Sequence, residues 1–228
     1  MRKYIFISGM LFSEDDKDKD IFFINELKLL DKCDVIYFDV NKYKNLRYSE
    51  VCKIIIRLLK KKEKYIIIGH GKGGFFGLLL CKNNPSYFSN LILLNSCEIT
   101  KDVINREIEQ CDYYMRKNPD DKKIYQDLIK EITFEWSEIP YKFLDSIKIA
   151  RITNIDIINS SHLFYIKDNN EDNYKEQIYR LQNIKEYNSL LEKNNKYFKE
   201  YFLIDSTYSL HFSDTEKILK IIFDFLGS

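Results

Sequence analysis

The sequence contains, at residues 65–77, the stretch Tyr65-Ile66-Ile67-Ile68-Gly69-His70-Gly71-Lys72-Gly73-Gly74-Phe75-Phe76-Gly77. Its apolar start is typical of a buried strand, and the small residues that follow indicate a tight turn into a helix. Five of the seven glycines of the chain lie within nine positions here. The composition otherwise disfavours glycine, because Ala150 is the only alanine and Lys, Asn and Ile are abundant, as in an AT-biased coding sequence. The backbone of this turn therefore requires glycine.

Apolar runs on both sides of this stretch alternate with helical patterns. This order predicts an α/β fold with a mostly parallel, doubly wound sheet of about six strands. The predicted strands are Tyr4–Ile7, Val35–Asp39, Tyr65–Ile68, Leu91–Asn95, Leu163–Ile166 and Tyr201–Ile204. The predicted helices are Ser49–Lys60 with Ser49 as the N-cap, Gly74–Lys82, Tyr174–Leu191 and Asp214–Leu226. One domain accommodates all 228 residues.

A polar segment at about residues 97–159 separates the fourth and fifth predicted strands. It is too long for a simple crossover between neighbouring strands. Helical patterns at Lys101–Lys117 and Lys122–Ile132 precede the single tryptophan, Trp136. We therefore expect a helical cap inserted into the single domain.

The turn at residues 69–74 resembles the nucleophile elbow of the α/β-hydrolases, Gly-x-Ser-x-Gly, in which a serine stands between a strand and a helix. Gly71 stands at the position of that serine. The resemblance extends to Ile5–Gly9, Val35–Asp39 and Asn84–Ser96, where a proline ends the elbow helix before the next strand. It implies an α/β-hydrolase fold that lacks its nucleophile.

The same resemblance implies where the other site residues lie. His211, between the last strand and the last helix, matches the catalytic histidine. Glu171 matches the catalytic acid, with Asp168 and Asp172 as alternatives, because Asp168 replaces the glycine of the usual Gly-x-x-Asp. The positions that correspond to the oxyanion loop are Gly9, Met10 and Lys72.

The remaining polar candidates have simpler interpretations. His70 is expected to be structural and His162 to lie on the surface. Ser8, Ser96 and Cys97 stand near strand ends, where they are candidates for a replacement nucleophile, but ordinary strand-end polarity is the favoured interpretation.

The glycines also fit a dinucleotide-binding fingerprint. The spacing Gly69-x-Gly71-x-x-Gly74 matches Gly-x-Gly-x-x-Gly, and Glu98 follows the next strand at about the distance of the ribose-binding acid. Two strands and a helix already precede the motif, whereas a dinucleotide unit usually opens its domain. The hydrolase resemblance is therefore the favoured interpretation.

Two functions follow from the glycine at position 71. A glycine has no atom that can attack a carbonyl, so the first is a non-catalytic pseudo-hydrolase that binds a small apolar ligand or a protein partner. The second is an esterase, lipase or thioesterase, which requires that Gly71 replaces a native serine by design or that His211 activates water.

Composition narrows the classes of ligand and partner. The chain has 36 basic and 35 acidic residues and a formal charge of +1, without the basic cluster that nucleic-acid binding requires. Three histidines and five scattered cysteines without paired spacing predict neither a metal site nor a cofactor, and reduced thiols favour the cytoplasm. No apolar run is long enough to span a membrane, and the apolar start at residues 4–12 predicts a core strand rather than a signal peptide.

Overall fold

The computed structural model describes residues 1–9, 14–43, 46–96, 101–136, 154–160, 197–203 and 210–227. The strands of these ranges are β1 (Lys3–Ile7), β2 (Asp34–Phe38), β3 (Tyr65–His70), β4 (Phe88–Leu94), β5 (Asn154–Ser160) and β6 (Tyr197–Leu203). They form one sheet in the order β2-β1-β3-β4-β5-β6, and every neighbouring pair is parallel. The predicted α/β class with a parallel sheet of six strands is confirmed.

Helices fill the connections between the strands. They are α1 (Glu14–Asp31), α2 (Tyr48–Leu58), α3 (Lys72–Asn83), α4 (Lys101–Lys117), α5 (Lys122–Trp136), α6 (Leu210–Ser213) and α7 (Thr215–Leu226). The predicted N-cap Ser49 is wrong, because Arg47 caps α2 and its backbone N–H donates to the Glu50 carboxylate at 3.0 Å. No helix in the described ranges is long and apolar enough to cross a membrane.

The helices cover both faces of the sheet and enclose two apolar cores. Successive side chains of a strand point to opposite faces. Ile5 and Ile7 of β1 accordingly join one core with α2 and α3, while Tyr4 and Phe6 join the other with α1 and α7. The central strands are buried on both sides, which explains their continuous apolar sequences.

The sequence did not predict the strand that pairs with the outer side of β4. β5 is Asn154–Ser160, and its Ile155 pairs with Leu91 of β4. The unbroken apolar run Leu163–Ile166 matched the pattern of a buried strand better than β5 does, because Asp156 interrupts the isoleucines of β5. Leu163–Ile166 and the predicted helix Tyr174–Leu191 lie outside the described residues.

Two helices form a separate unit between β4 and β5. α4 and α5 pack against each other around the buried Cys111, with Ile108 and Leu128 among its neighbours. The strand β5, at Asn154–Ser160, lies within the range predicted for the insertion, residues 97–159. That this unit caps a binding site stays a prediction.

The order of the strands defines where a ligand crevice can form. The chain passes from β1 outward to β2 and then returns to the other side of β1 as β3. In parallel sheets, ligands bind beside the carboxyl ends of the strands at such a reversal. Ser8 and Gly9 follow β1 at this point, and Gly71 follows β3.

A close approach of backbones joins the two sides of this reversal. A Cβ atom on Gly73 would overlap the carbonyl oxygen of Ile7, and a Cβ atom on Gly69 would lie 2.5 Å from Cα of Gly74. A Cβ atom on Gly74 would overlap the hydroxyl of Ser96. Because the obstacles are mostly backbone atoms, side-chain rotation cannot relieve them.

Replacing Gly73 with alanine is expected to lower the free energy of unfolding by about 1–3 kcal/mol or more, since the added methyl group displaces β1 from α3. Gly77→Ala is the matched control. It adds the same methyl group to the same helix, but the nearest atoms are the ends of the Leu91 and Ile67 side chains, at 2.9 and 3.1 Å. Its steric cost is offset by the higher helix propensity of alanine, about 1 kcal/mol. Urea unfolding of the two variants tests this expectation, and equal midpoints would contradict it.

Candidate functional site

The turn between β3 and α3 has an unusual backbone. Gly71 adopts φ 51° and ψ −121°, and it is the residue directly before α3. Its N–H donates to the Leu94 carbonyl at 2.9 Å, and its own carbonyl accepts from the N–H of Gly74 at 3.1 Å. A residue with a side chain in such a strained conformation costs about 1–3 kcal/mol, a cost that glycine avoids.

Two buried serines near the turn hold the strand ends together. The Ser96 hydroxyl lies 2.9 Å from the Gly71 carbonyl and 3.2 Å from the Gly69 carbonyl. The Ser8 hydroxyl donates to the carbonyl of Phe38 and accepts from the N–H of Val40, both at 3.3 Å. These contacts agree with the structural interpretation of Ser8 and Ser96, while Cys97 lies outside the described residues.

His211 is buried at the same edge of the sheet and pairs with an acid on the first helix. It belongs to α6, and its Nε2 lies 2.9 Å from Oδ1 of Asp20 on α1. The hydroxyl of Tyr37 donates to Oδ2 of Asp20 at 3.0 Å. The side chains of Asp20 and His211 are each 1% exposed. His211 thus has an acid partner, but this partner, Asp20, is not one of the predicted acids.

The second histidine completes this cluster. His70 is the last residue of β3, directly before Gly71, and its ring centre lies 4.5 Å from that of His211. Phe6 and Phe23 pack on His211 with ring centres 5.8 Å away. Three nitrogen or oxygen atoms that could bind a metal, one each from Asp20, His70 and His211, lie within 4.8 Å of one another.

Burial shifts the pKa values of the pair in opposite directions. It raises the pKa of the Asp20 carboxyl to about 7, against the smaller effects of His70 and the Tyr37 hydroxyl, which lower it. It lowers the pKa of the His211 imidazole to about 4. At neutral pH the imidazole is therefore uncharged, and its contact with Asp20 is a hydrogen bond rather than an ion pair.

Two of the three positions predicted for the oxyanion loop, Gly9 and Lys72, lie among the described residues. Lys72 is the first residue of α3, and its ammonium lies 5.9 Å from the ring centre of Tyr48. Gly9 lies against His70, where an added Cβ atom would be 3.0 Å from the His70 carbonyl oxygen. Met10 lies outside the described residues, as do the three predicted acids and two further candidates: Asp168, Glu171, Asp172, Glu98 and His162.

The role of Asp20 was missed, although the sequence contains a signal for it. Phe23, Ile24 and Leu27 follow Asp20 at three, four and seven positions, which places the aspartate on the apolar face of α1. These three residues are buried in the core beside β1. A carboxylate at a buried helix position requires a polar partner, but its identity depends on tertiary contacts.

Comparison with solved structures matches nearly the whole chain to α/β-hydrolase-fold enzymes. A carboxylesterase of Nitrososphaera gargenis has 12% identity and a TM-score of 0.63, covering 99% of this chain and 90% of that one. A hydrolase from Oleispira antarctica has 13% identity and a TM-score of 0.63, covering 100% and 92%. A peroxisomal α/β-hydrolase of Saccharomyces cerevisiae has 12% identity and a TM-score of 0.59, covering 99% and 76%. The chain has the α/β-hydrolase fold.

The comparisons establish the fold of the chain but not any reaction that it catalyses or ligand that it binds. No family model and no curated protein matches the sequence. At identities of 12–13%, similarity to the solved structures is evidence for the fold only.

Removing the imidazole of His211 is expected to destabilise the fold. His211→Ala leaves Oδ1 of Asp20 without its buried partner and opens space between Phe6 and Phe23, so the free energy of unfolding should fall by about 1–3 kcal/mol or more. His162→Ala removes the histidine that the sequence predicts to lie on the surface, and its effect should stay within about 0.5 kcal/mol. Equal losses for the two variants in urea unfolding would argue against a structural Asp20–His211 pair.

Proposed function

We propose that this chain is a non-catalytic member of the α/β-hydrolase fold that binds a small apolar ligand. The observation that carries the proposal is the turn at Gly71. It has the strand-to-helix geometry of a nucleophile elbow, with φ at 51°, but no side chain at the position of the attacking serine. Acyl transfer in this fold requires that nucleophile, because the serine forms the covalent intermediate.

The surroundings of Gly71 support the loss of catalysis. A catalytic base needs a nitrogen aimed at its nucleophile or at a water molecule. Nε2 of His211 is directed instead to Asp20, and the side chain is 1% exposed. Ser96 is 2% exposed, and its hydroxyl contacts backbone carbonyls, so it is poorly placed to replace the missing nucleophile.

The placement of the helical insertion supports a ligand-binding role. The chain leaves the sheet at the carboxyl end of β4, the edge at which Gly9 and Gly71 lie, and continues as α4 and α5. Ligands of parallel α/β sheets bind at this edge. A protein partner is the alternative occupant of the same surface.

Hydrolysis of short acyl esters tests the loss of catalysis. In the presence of the unmodified protein, 4-nitrophenyl acetate and butyrate should be hydrolysed no faster than in buffer alone. Gly71→Ser should add little, because Asp20 already occupies Nε2 of His211. Gly71→Ala is the matched control, since it carries the same backbone strain and differs from the serine variant by one hydroxyl group.

Two results would contradict this proposal. Hydrolysis by the unmodified protein that is lost in a His211→Ala variant shown to be folded would show that His211 activates water. An intact triad raises the rate by about 10⁶ over its knock-outs. A rate in Gly71→Ser that is higher than in Gly71→Ala by orders of magnitude, and that His211→Ala removes, would show that only the nucleophile has been lost.

Tryptophan fluorescence tests ligand binding. Trp136 is the single tryptophan of the chain and the last residue of α5, so a ligand that binds beside the helical unit should change its emission. Octanoate should give a saturable change, because its chain can be buried from water at about 0.8 kcal/mol per CH₂ group. Acetate, with the same head group and almost no apolar surface, is the control. A response that is absent, or equal for the two acids, would favour the protein partner instead.

A further inference from the structure

Three residues from distant parts of the chain bring metal-ligating atoms together at the carboxyl edge of the sheet. Asp20 lies on α1, His70 at the end of β3 and His211 on α6. Their candidate donor atoms lie within 4.8 Å of one another. The exposed fractions of the residues are 1%, 4% and 1%, so the cluster is an interior feature rather than a surface group of acids.

The surroundings hold the cluster in a defined orientation. Tyr37 donates to Oδ2 of Asp20, which leaves Oδ1 directed at His211. Phe6 and Phe23 pack on the ring of His211. Metal sites commonly have such outer contacts, in which hydrogen bonds and packing fix the ligand side chains.

The chemistry of the donor set is specific. Two imidazole nitrogens and one carboxylate oxygen are a common ligand set for zinc and related divalent transition metals. Nδ1 of His211 is also buried and makes no hydrogen bond to any residue in the described ranges. The imidazole therefore has a buried nitrogen that its pairing with Asp20 does not satisfy.

We propose that Asp20, His70 and His211 bind one divalent transition-metal ion of the zinc type. Ligand atoms on a zinc ion lie about 3–3.5 Å apart, so rotations that move the donors by about 1 Å complete the site. Tyr37 orients the carboxylate as an outer-shell partner. Neither the loss of the nucleophile nor the cap enters this argument, although both proposals use the contact between Asp20 and His211.

Metal content and affinity test the site directly. The full chain is stripped with a chelator and equilibrated with zinc, and bound metal is measured by elemental analysis. We expect about one ion per chain and a rise in melting temperature on adding zinc. Asp20→Asn, which keeps the shape and a hydrogen-bonding oxygen for Tyr37, and His70→Gln should each weaken binding by at least about 100-fold, since even outer-shell partners contribute about 10–100-fold.

Two further variants separate ligation from general packing. Tyr37→Phe removes only the hydroxyl that orients Asp20, so it should weaken binding by about tenfold and retain one ion per chain. His162→Gln makes the same exchange as His70→Gln at the remaining histidine and should leave the affinity unchanged.

Cobalt substitution identifies the donor atoms. The chain contains five cysteines, and thiolates also bind zinc. Cobalt(II) held by two imidazoles and a carboxylate should show d–d bands without the near-ultraviolet charge-transfer band of a thiolate ligand. Absence of bound metal, binding that survives Asp20→Asn and His70→Gln, or a thiolate band would each overturn the proposal. The stoichiometry and spectrum of the unmodified protein stand even if a variant fails to fold. Neither measurement depends on ester hydrolysis or on the fluorescence of Trp136.

Discussion

The contact between α3 and β1 determines the arrangement of the centre of the sheet. At Gly73 the backbone of α3 comes so close to the Ile7 carbonyl that no Cβ atom fits between them. The same approach brings the carboxyl ends of β1 and β3 together, with Gly9 beside the turn at Gly71. Dense packing of this kind tolerates little change in volume. The glycine pattern is therefore a requirement of the fold, whatever chemistry the turn performs.

The backbone at position 71 adds a second constraint to this turn, because its φ is positive. A serine at a positive φ of this kind stores strain, which an enzyme tolerates because the position performs chemistry. Glycine at position 71 relieves that strain and leaves the packing of Gly69, Gly73 and Gly74 intact. At such a position catalysis requires a reactive side chain, whereas stability favours a residue that adopts a positive φ without strain. Glycine is the residue that stability favours.

The sequence predicted those parts of the structure that depend on local patterns. The first four strands follow from their apolar runs, and α4 follows from its helical spacing, because local contacts determine each of them. The strand β5 was not predicted, because Asp156 interrupts its isoleucines and so breaks the apolar run. The pairing of Asp20 with His211 was not predicted at all. The two residues are 191 positions apart, and no periodicity reports a contact that only the completed sheet creates.

Burying the polar side chains of Asp20, His70 and His211 lowers the stability of the fold. Apolar side chains of similar volume would fill the space beside Phe6 and Phe23 without removing a carboxylate and imidazoles from water, and such replacements often stabilise a protein. Packing alone therefore does not account for Asp20, His70 and His211. The cluster connects the first helix, a central strand and a helix near the end of the chain. A polar network of this kind favours one arrangement of these elements only if every member is satisfied. Nδ1 of His211 makes no hydrogen bond to any described residue, so the hydrogen bonds of this cluster leave one buried nitrogen unsatisfied.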